Sequence, residues 1–202
     1  MKISRNYDAE HLRNLDFTSE ADWQRAITIF EDRLETRYLE HIRALLPRKT
    51  SGFVVLTLDC ALIETLQQFR LGVRKTPDKE GKKYFVVFLT TTLFSQHFDE
   101  ESAGLFYKTI RCGLLHQTET GETSRVKRGS DLPVVTYTKD HSGVIINTKR
   151  FHELLEKTIS NYVSELRNPG AEVARAAFLK KMNFICRIED KEPETIEATP
   201  GE

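Results

Sequence analysis

The pattern that most constrains the fold is the recurrence of apolar side chains at helical spacing. One series repeats every three or four residues; its members are Trp23, Ile27, Phe30, Leu34, Tyr38, Ile42 and Leu45. This spacing places them on one face of an α-helix, and Pro47 cannot continue that helix. Ser19 is the expected N-cap, with Asp22 completing an acidic variant of the capping box. The segment is therefore a long amphipathic helix whose apolar face must be buried.

The rest of the chain reads mainly as further helices. We expect these at Phe53–Leu71, Tyr84–Phe98, from Asp99 or Ser102 to His116, at Thr148–Leu166 and at Ala171–Ile188. The β-branched residues of the second range favour a strand by propensity alone, whereas its length and apolar spacing favour a helix. Val134–Tyr137 and Val144–Ile146 predict a small hairpin. The expected fold class is all-α: a bundle of about five to six helices with a small β-hairpin insertion after the helix that ends at His116.

The domain organisation follows from these elements. A chain of 202 residues suits one domain with a real core. Residues 1–18 are expected to be a polar lead-in, and 19–188 the helical domain, with 117–147 as a loop and hairpin insertion. Residues 189–202 carry six acidic residues against one basic residue. This composition predicts a disordered tail.

Charge and cysteine content restrict the function classes. Lys and Arg total 30, as do Asp and Glu, so no global positive field attracts nucleic acid. Lys108–Arg150 nevertheless holds eight basic against four acidic residues, so a nucleic-acid surface would be local. Three cysteines without a CxxC pair or a Cys/His cluster predict neither a metal nor a cofactor. The sequence shows no secretory signal and no run of about 18 apolar residues, so we expect a cytoplasmic protein without a membrane segment.

Some polar residues lie where helices are predicted to be apolar. Asp59 and Glu64 interrupt the helix Phe53–Leu71, and we expect each to pair with an Arg or Lys of a neighbouring helix. His97, His141 and His152 have no evident partner in the sequence. They are expected at the surface.

Arg111 and His116 form the motif with the clearest chemical meaning. The planar guanidinium matches phosphate oxygens, and an imidazole both accepts and donates protons near neutral pH. Five positions at about 100° per residue set the two side chains about 140° apart and about 7.5 Å along the helix. They diverge, so a joint role calls for a second helix, such as that of a two-fold dimer. The alternative is that Arg111 pairs with a carboxylate and His116 complements the helix end.

Other polar residues surround this pair. Lys108 lies one turn before Arg111, and Gln117 directly follows His116. The predicted loop beyond them contains a basic cluster, Arg125, Lys127 and Arg128, suited to phosphate contacts with RNA. A merely solvated loop is the alternative. Tyr107 and Tyr137 could stack on unpaired bases, although core packing is the stronger expectation for Tyr107.

The string Phe106–Gln117, FYKTIRCGLLHQ, resembles the HEPN superfamily, whose signature is Arg, four to six residues, then His. Leu62–Gly72 is also similar to the second long helix of prokaryotic HEPN proteins, and the resemblance covers roughly residues 20–188. It implies a helical bundle that dimerises. Many members are metal-independent RNA endonucleases of toxin–antitoxin, abortive-infection and other phage-defence systems.

By position, Arg111 and His116 match the catalytic pair of that family. Many active members have a polar residue directly after the arginine, whereas this chain has Cys112, a poor hydrogen-bond donor. The partners that the resemblance implies are RNA, a second copy of the chain, and a cognate antitoxin or defence-system subunit. Two function classes remain: a ribonuclease, and a non-catalytic helical module that binds RNA or protein.

Overall fold

The computed structural model describes residues 1–129 and 131–188, so the predicted tail at 189–202 lies outside the described residues. The described part is mostly helical with a small sheet. Its helices are α1 (Ala9–Arg13), α2 (Glu20–Leu34), α3 (Glu40–Leu45), α4 (Gly52–Leu71), α5 (Gly81–Thr91), α6 (Glu100–Leu105), α7 (Cys112–Gln117), α8 (Thr148–Arg167) and α9 (Glu172–Cys186). Its strands are β1 (Arg125–Lys127), β2 (Val135–Tyr137) and β3 (Val144–Asn147).

Two π-helical turns each join two consecutive α-helices into one longer helix. Glu35–Leu39 joins α2 to α3, and Phe106–Arg111 joins α6 to α7. The long helices predicted to end before Pro47 and near His116 are therefore confirmed. The apolar spacing did not predict the π turns, which take more residues per turn than an α-helix.

The caps of these helices differ from one another. Ser19 is the N-cap of α2, as predicted, but the predicted capping box does not form: the Ser19 hydroxyl makes no capping bond, and Asp22 accepts instead from the backbone N–H of Asp16, at 2.9 Å. At α6 the prediction is confirmed: Asp99 and Ser102 form a reciprocal capping box. A reciprocal cap satisfies two of the N–H groups that a helix start leaves unpaired.

Helix α4 lies at the centre of the bundle. It packs against α3, α5, α7, α8, α9 and β1. Gly72 ends it in the left-handed conformation, at φ 62°, which confirms the predicted stop. By length and composition alone α4 could cross a membrane, but 50% of that stretch is buried within the protein. Its apolar character is that of a central core helix.

Phenylalanine rings fill much of the core on both sides of α4. Phe30 contacts Phe69 and Phe178, with ring centres 4.7 and 5.4 Å away. Phe106 of the second π turn stacks on Phe151 of α8 at 5.2 Å. Because each ring buries a large apolar area, these contacts fix the helix that carries Arg111 and His116 against the rest of the bundle.

The small sheet corrects one expectation. β2 and β3 pair antiparallel, as the predicted hairpin requires. β1 pairs parallel to β3, giving the order β1-β3-β2 within the described residues. Arg125 and Lys127 therefore belong to a strand and not to a loop. The cause is pairing with a segment about 20 residues later in the chain, which local composition does not reveal.

The remaining boundaries shift by a few residues. α5 ends at Thr91 and a 3₁₀ turn, Leu93–Gln96, replaces the rest of the helix predicted to reach Phe98. Within the predicted lead-in, α1 forms and buries Leu12, and the side chain of Ile3 is also buried. The N-terminal segment thus packs on the bundle.

Candidate functional site

Arg111 ends the second π turn and points towards α4. Its Nη2 donates to Glu64 Oε2 at 2.8 Å, and the two side chains are 16% and 27% exposed. The predicted pairing of Glu64 with a cation of a neighbouring helix is confirmed. A partly buried ion pair of this kind fixes the direction of the guanidinium.

Aromatic rings complete the surroundings of Arg111. The guanidinium carbon lies 5.4 Å from the centre of the Tyr107 ring and 6.0 Å from that of Phe85, within range of cation–π attraction. Nε of Arg111 is buried and has no hydrogen-bond partner among the described residues. Burial opposes the charged form, but the hydrogen bond and charge of Glu64 outweigh it and raise the pKa of Arg111 above its ordinary value. Arg111 is therefore a fixed cation.

Glu64 belongs to a polar chain that crosses the bundle. Its Oε1 accepts from Thr76 Oγ1 at 3.2 Å, and Thr76 accepts from Gln68 Nε2 at 2.9 Å. Lys181 of α9 donates to Gln68 Oε1 and to the carbonyl of Arg74, both at 2.6 Å. The position of Arg111 is thus tied to α4, to the loop after it and to α9.

His116 has the opposite environment. It is exposed in the last turn of α7, which ends where Thr118 adopts φ 56°. Its neighbour Leu115 is apolar and 40% exposed. No hydrogen bond joins Arg111 to His116 within the part of the chain that the structure describes. As the helical angle predicts, the two side chains diverge, so a single copy does not assemble them into one pocket.

The predicted RNA-binding residues fall into two groups. Lys108 and Gln117 are exposed on the helix of Arg111 and His116. Arg125 and Lys127 are exposed on β1, which is an edge strand.

Arg125 donates to the carbonyls of Glu122 and Ser124, at 2.5 and 2.8 Å. Arg128 is half-buried and donates to the carbonyl of Arg48. Of these two arginines, only Arg128 is therefore directed towards the segment before α4.

A buried pair of ionisable groups was not predicted. Nδ1 of His152 lies 2.8 Å from Oδ1 of Asp59, and both side chains are 0% exposed. The expectation of a surface His152 is wrong, as is that of an Arg or Lys partner for Asp59. Burial raises the pKa of Asp59, and the hydrogen bond from His152 opposes that rise. A signal existed: His152 precedes the buried residues Leu155 and Ile159 by three and seven positions, on one helical face.

The two tyrosines have partners within the chain. Tyr107 packs against the core and Arg111, as expected. Tyr137 donates to Asp99 Oδ1 at 3.0 Å and stacks on His141 with ring centres 4.8 Å apart.

Comparison of the chain with protein-family models, with curated proteins and with solved structures found no match. Among the described residues, no group of three or more His, Cys, Asp or Glu side chains is placed to hold a metal ion. The HEPN resemblance therefore depends on the residues of the motif and on the helical character of the fold.

Proposed function

We propose that this chain is a HEPN-like, metal-independent RNA endonuclease whose active site is completed by a second copy of the same chain. The observation that carries the proposal is the contrast along one helix. Arg111 is held in a fixed direction by Glu64 and Tyr107, whereas His116 is open to solvent five residues later. A fixed cation and an accessible imidazole are the groups that RNA transesterification requires.

In the proposed reaction the RNA supplies its own nucleophile. The 2′-hydroxyl attacks the adjacent phosphorus while one His116 accepts its proton, and a bond forms between phosphorus and the 2′-oxygen. The bond to the 5′-oxygen breaks, and the second His116 donates a proton to that leaving oxygen. Arg111 from each copy stabilises the charge that develops on the phosphorane. The products are a 2′,3′-cyclic phosphate and a 5′-hydroxyl.

The need for two copies follows from the divergence of the side chains. One chain offers a single exposed imidazole at this helix, and the mechanism uses one proton acceptor and one proton donor. Leu115, 40% exposed beside His116, would be covered by a second copy packed against this helix. In a two-fold dimer the same helix meets itself, so both pairs of groups enter one cleft.

The biological setting of the proposal is defence against phage or a toxin system in the cytoplasm. RNA is the substrate, and a cognate antitoxin or a defence-system subunit is the expected controlling partner. No membrane is involved.

One observation favours a second candidate function. The Arg111–Glu64 ion pair neutralises the guanidinium within the chain and links it to a polar chain that reaches α9. A helical RNA- or protein-binding module would retain such an arginine for its structural role alone. In that case His116 would be dispensable for RNA binding, and no cleavage would occur.

The test compares cleavage of total RNA in EDTA by the wild type and by matched histidine variants. We expect cleavage by the wild type and by His97→Ala, which removes another exposed histidine, and its loss in His116→Ala. Arg111→Lys keeps the charge but removes the planar fork, so its rate should fall by about 10²-fold or more. Light scattering must show the same dimer for all four proteins. Full activity of His116→Ala, or a monomeric wild type that still cleaves, would contradict the proposal.

A further inference from the structure

A positively charged groove lies where the segment before α4 meets β1. It has a volume of about 640 Å³, and its lining includes Lys49, Phe53, Lys127 and Arg128. No carboxylate is among its lining residues in the described part of the chain. The positive charge of this groove is therefore not neutralised by acidic residues of its own lining.

A second groove continues the first. Arg128 lines both, and Lys149 and Arg150 at the start of α8 line the second, whose volume is about 440 Å³. Glu153 also lines it and pairs with Lys149 at 3.7 Å. Together the two grooves form a path with a strong excess of positive charge, which we call the basic path.

The start of α4 adds backbone donors to the basic path. Gly52 and Phe53 line the first groove, and α4 has no side-chain cap. The Ser51 hydroxyl donates instead to the carbonyls of Leu45 and Arg48, at 2.6 and 2.8 Å. Within the described residues no side chain caps the first N–H groups of this helix, and anions bind uncapped groups of this kind favourably.

The ring of Phe53 gives the basic path a feature that simple anion binding does not need. It is half-buried and lines the groove beside Lys49 and Lys127. Cations that follow a backbone, combined with an aromatic ring on which a base stacks, are the usual equipment for single-stranded nucleic acid. Carboxylates of an acidic protein segment would contact the cations but leave the face of the ring unused.

The basic path is connected to the helix that carries His116. Thr109 of the π turn lies 2.6 Å from Ser124, hydroxyl oxygen to hydroxyl oxygen, and accepts from the N–H of Gly121 through its carbonyl, also at 2.6 Å. Ser124 directly precedes β1. The loop between α7 and β1 is therefore pinned to the π turn, and it joins the two sites over a short stretch of chain.

We infer that the basic path binds the sugar–phosphate backbone of single-stranded RNA, with a base stacked on Phe53. Lys49, Lys127, Arg128 and the N-terminus of α4 hold successive phosphates, and the strand continues towards His116. This inference rests on the proposed function in taking RNA as the partner. It concerns binding alone, so it can be tested without cleavage.

The experiment uses the full chain with His116→Ala and measures the fluorescence anisotropy of a labelled oligouridine in EDTA. Affinity is measured between about 50 and 200 mM salt. Adding Lys49→Ala and Lys127→Ala should weaken binding and make the slope of log K against log salt shallower by about 1.4, because each phosphate contact with a single strand contributes about 0.7. Lys157→Ala with Lys180→Ala removes the same charge from exposed positions on α8 and α9 and should leave the slope unchanged.

A second variant tests the aromatic ring. Phe53→Leu keeps apolar volume at a position packed against the core and removes the π face. We expect at least about fivefold weaker RNA binding, the lower end of what base stacking on an aromatic ring contributes, with the variant still folded at the assay temperature by circular dichroism. Binding of a labelled polyglutamate should be much weaker than that of the RNA and insensitive to Phe53→Leu.

An RNA affinity and salt slope equal in the lysine variant and its control would overturn the inference, as would polyglutamate binding as tight as RNA. If the wild type cleaves RNA but the lysine variant binds RNA as well as its control does, the basic path is refuted and the nuclease proposal stands. If binding depends on Lys49 and Lys127 but the wild type does not cleave RNA, the basic path stands and the nuclease proposal is refuted.

Discussion

The buried contact between Asp59 and His152 gives a quantitative prediction about stability. Both side chains are 0% exposed, and one oxygen of Asp59 has no hydrogen-bond partner among the described residues. Replacing His152 with Leu leaves the carboxyl group buried without the ring nitrogen that it contacts. Removing one partner of a buried pair costs about 3–5 kcal/mol. That is a large share of the roughly 5–15 kcal/mol that stabilises a domain.

The double variant Asp59→Asn/His152→Leu isolates the cause of this loss. A buried neutral amide without a partner costs about 1–3 kcal/mol, less than an uncompensated carboxylate. We therefore expect the double variant to be more stable than His152→Leu alone, by about 2 kcal/mol. Urea denaturation followed by circular dichroism at pH 7 measures both. The control His97→Leu, at an exposed position, should stay within about 0.5 kcal/mol of the wild type.

The effect should also depend on pH. Because burial raises the pKa of Asp59 above its unfolded value, the native state holds that proton more tightly. The contribution of Asp59 to the free energy of unfolding is therefore fully present at low pH and is lost as the pH rises through the pKa of the native state. In His152→Leu the hydrogen bond that opposes this loss is absent. The free energy of unfolding of the variant should therefore fall further below that of the wild type above about pH 4, by at most about 1.4 kcal/mol per pH unit. Equal deficits at pH 4.5 and pH 7.5, or no recovery in the double variant, would refute the reasoning.

Further predictions concern two partly buried ion pairs, Glu64–Arg111 and Glu20–Arg175, and the end of α4. Glu64→Gln keeps a hydrogen bond to Arg111 but removes the charge, so the free energy of unfolding should fall by about 1 kcal/mol in urea denaturation, and less at high salt. Arg175 lowers the pKa of Glu20 to about 2, so stability present above pH 4.5 is lost as pH falls towards 2, and Glu20→Gln should show a shallower acid-unfolding curve than the wild type. Gly72→Ala sets a Cβ 2.8 Å from the backbone of α9 at φ 62°, so we expect a loss above about 1 kcal/mol; an unchanged melting temperature would contradict this.

The helical core was predictable because its signal is local. The series from Trp23 to Leu45 and the stop at Gly72 correspond to α2, α3 and α4 as they stand in the structure. Each depends on residues that are close in sequence, so periodicity and capping preferences are sufficient to identify them.

The elements that were missed depend on distant residues. β1 exists because Arg125 and Lys127 pair with β3, and nothing in the composition of that segment distinguishes it from a loop. Lys49 joins the basic path across a separation of 78 residues from Lys127, since α4 begins where β1 passes.

The candidate site was predictable in part. The sequence indicated that Glu64 pairs with a cation and that Arg111 and His116 diverge, and the structure agrees on both points. The sequence did not indicate that Arg111 is the cation that pairs with Glu64. Thr76 was not singled out either, because its bond to Glu64 requires the loop after α4 to fold back.

The π turn Phe106–Arg111 holds one residue more than the α-helical turn that it replaces. Deleting one residue there, such as the exposed Lys108, should convert it into an α-helical turn and leave the helix beyond it in place, so His116 should stay exposed. The same deletion within α7 would rotate the imidazole by about 100° about the helix axis. This turn should therefore tolerate the loss of a residue far better than the regular helix on either side of it.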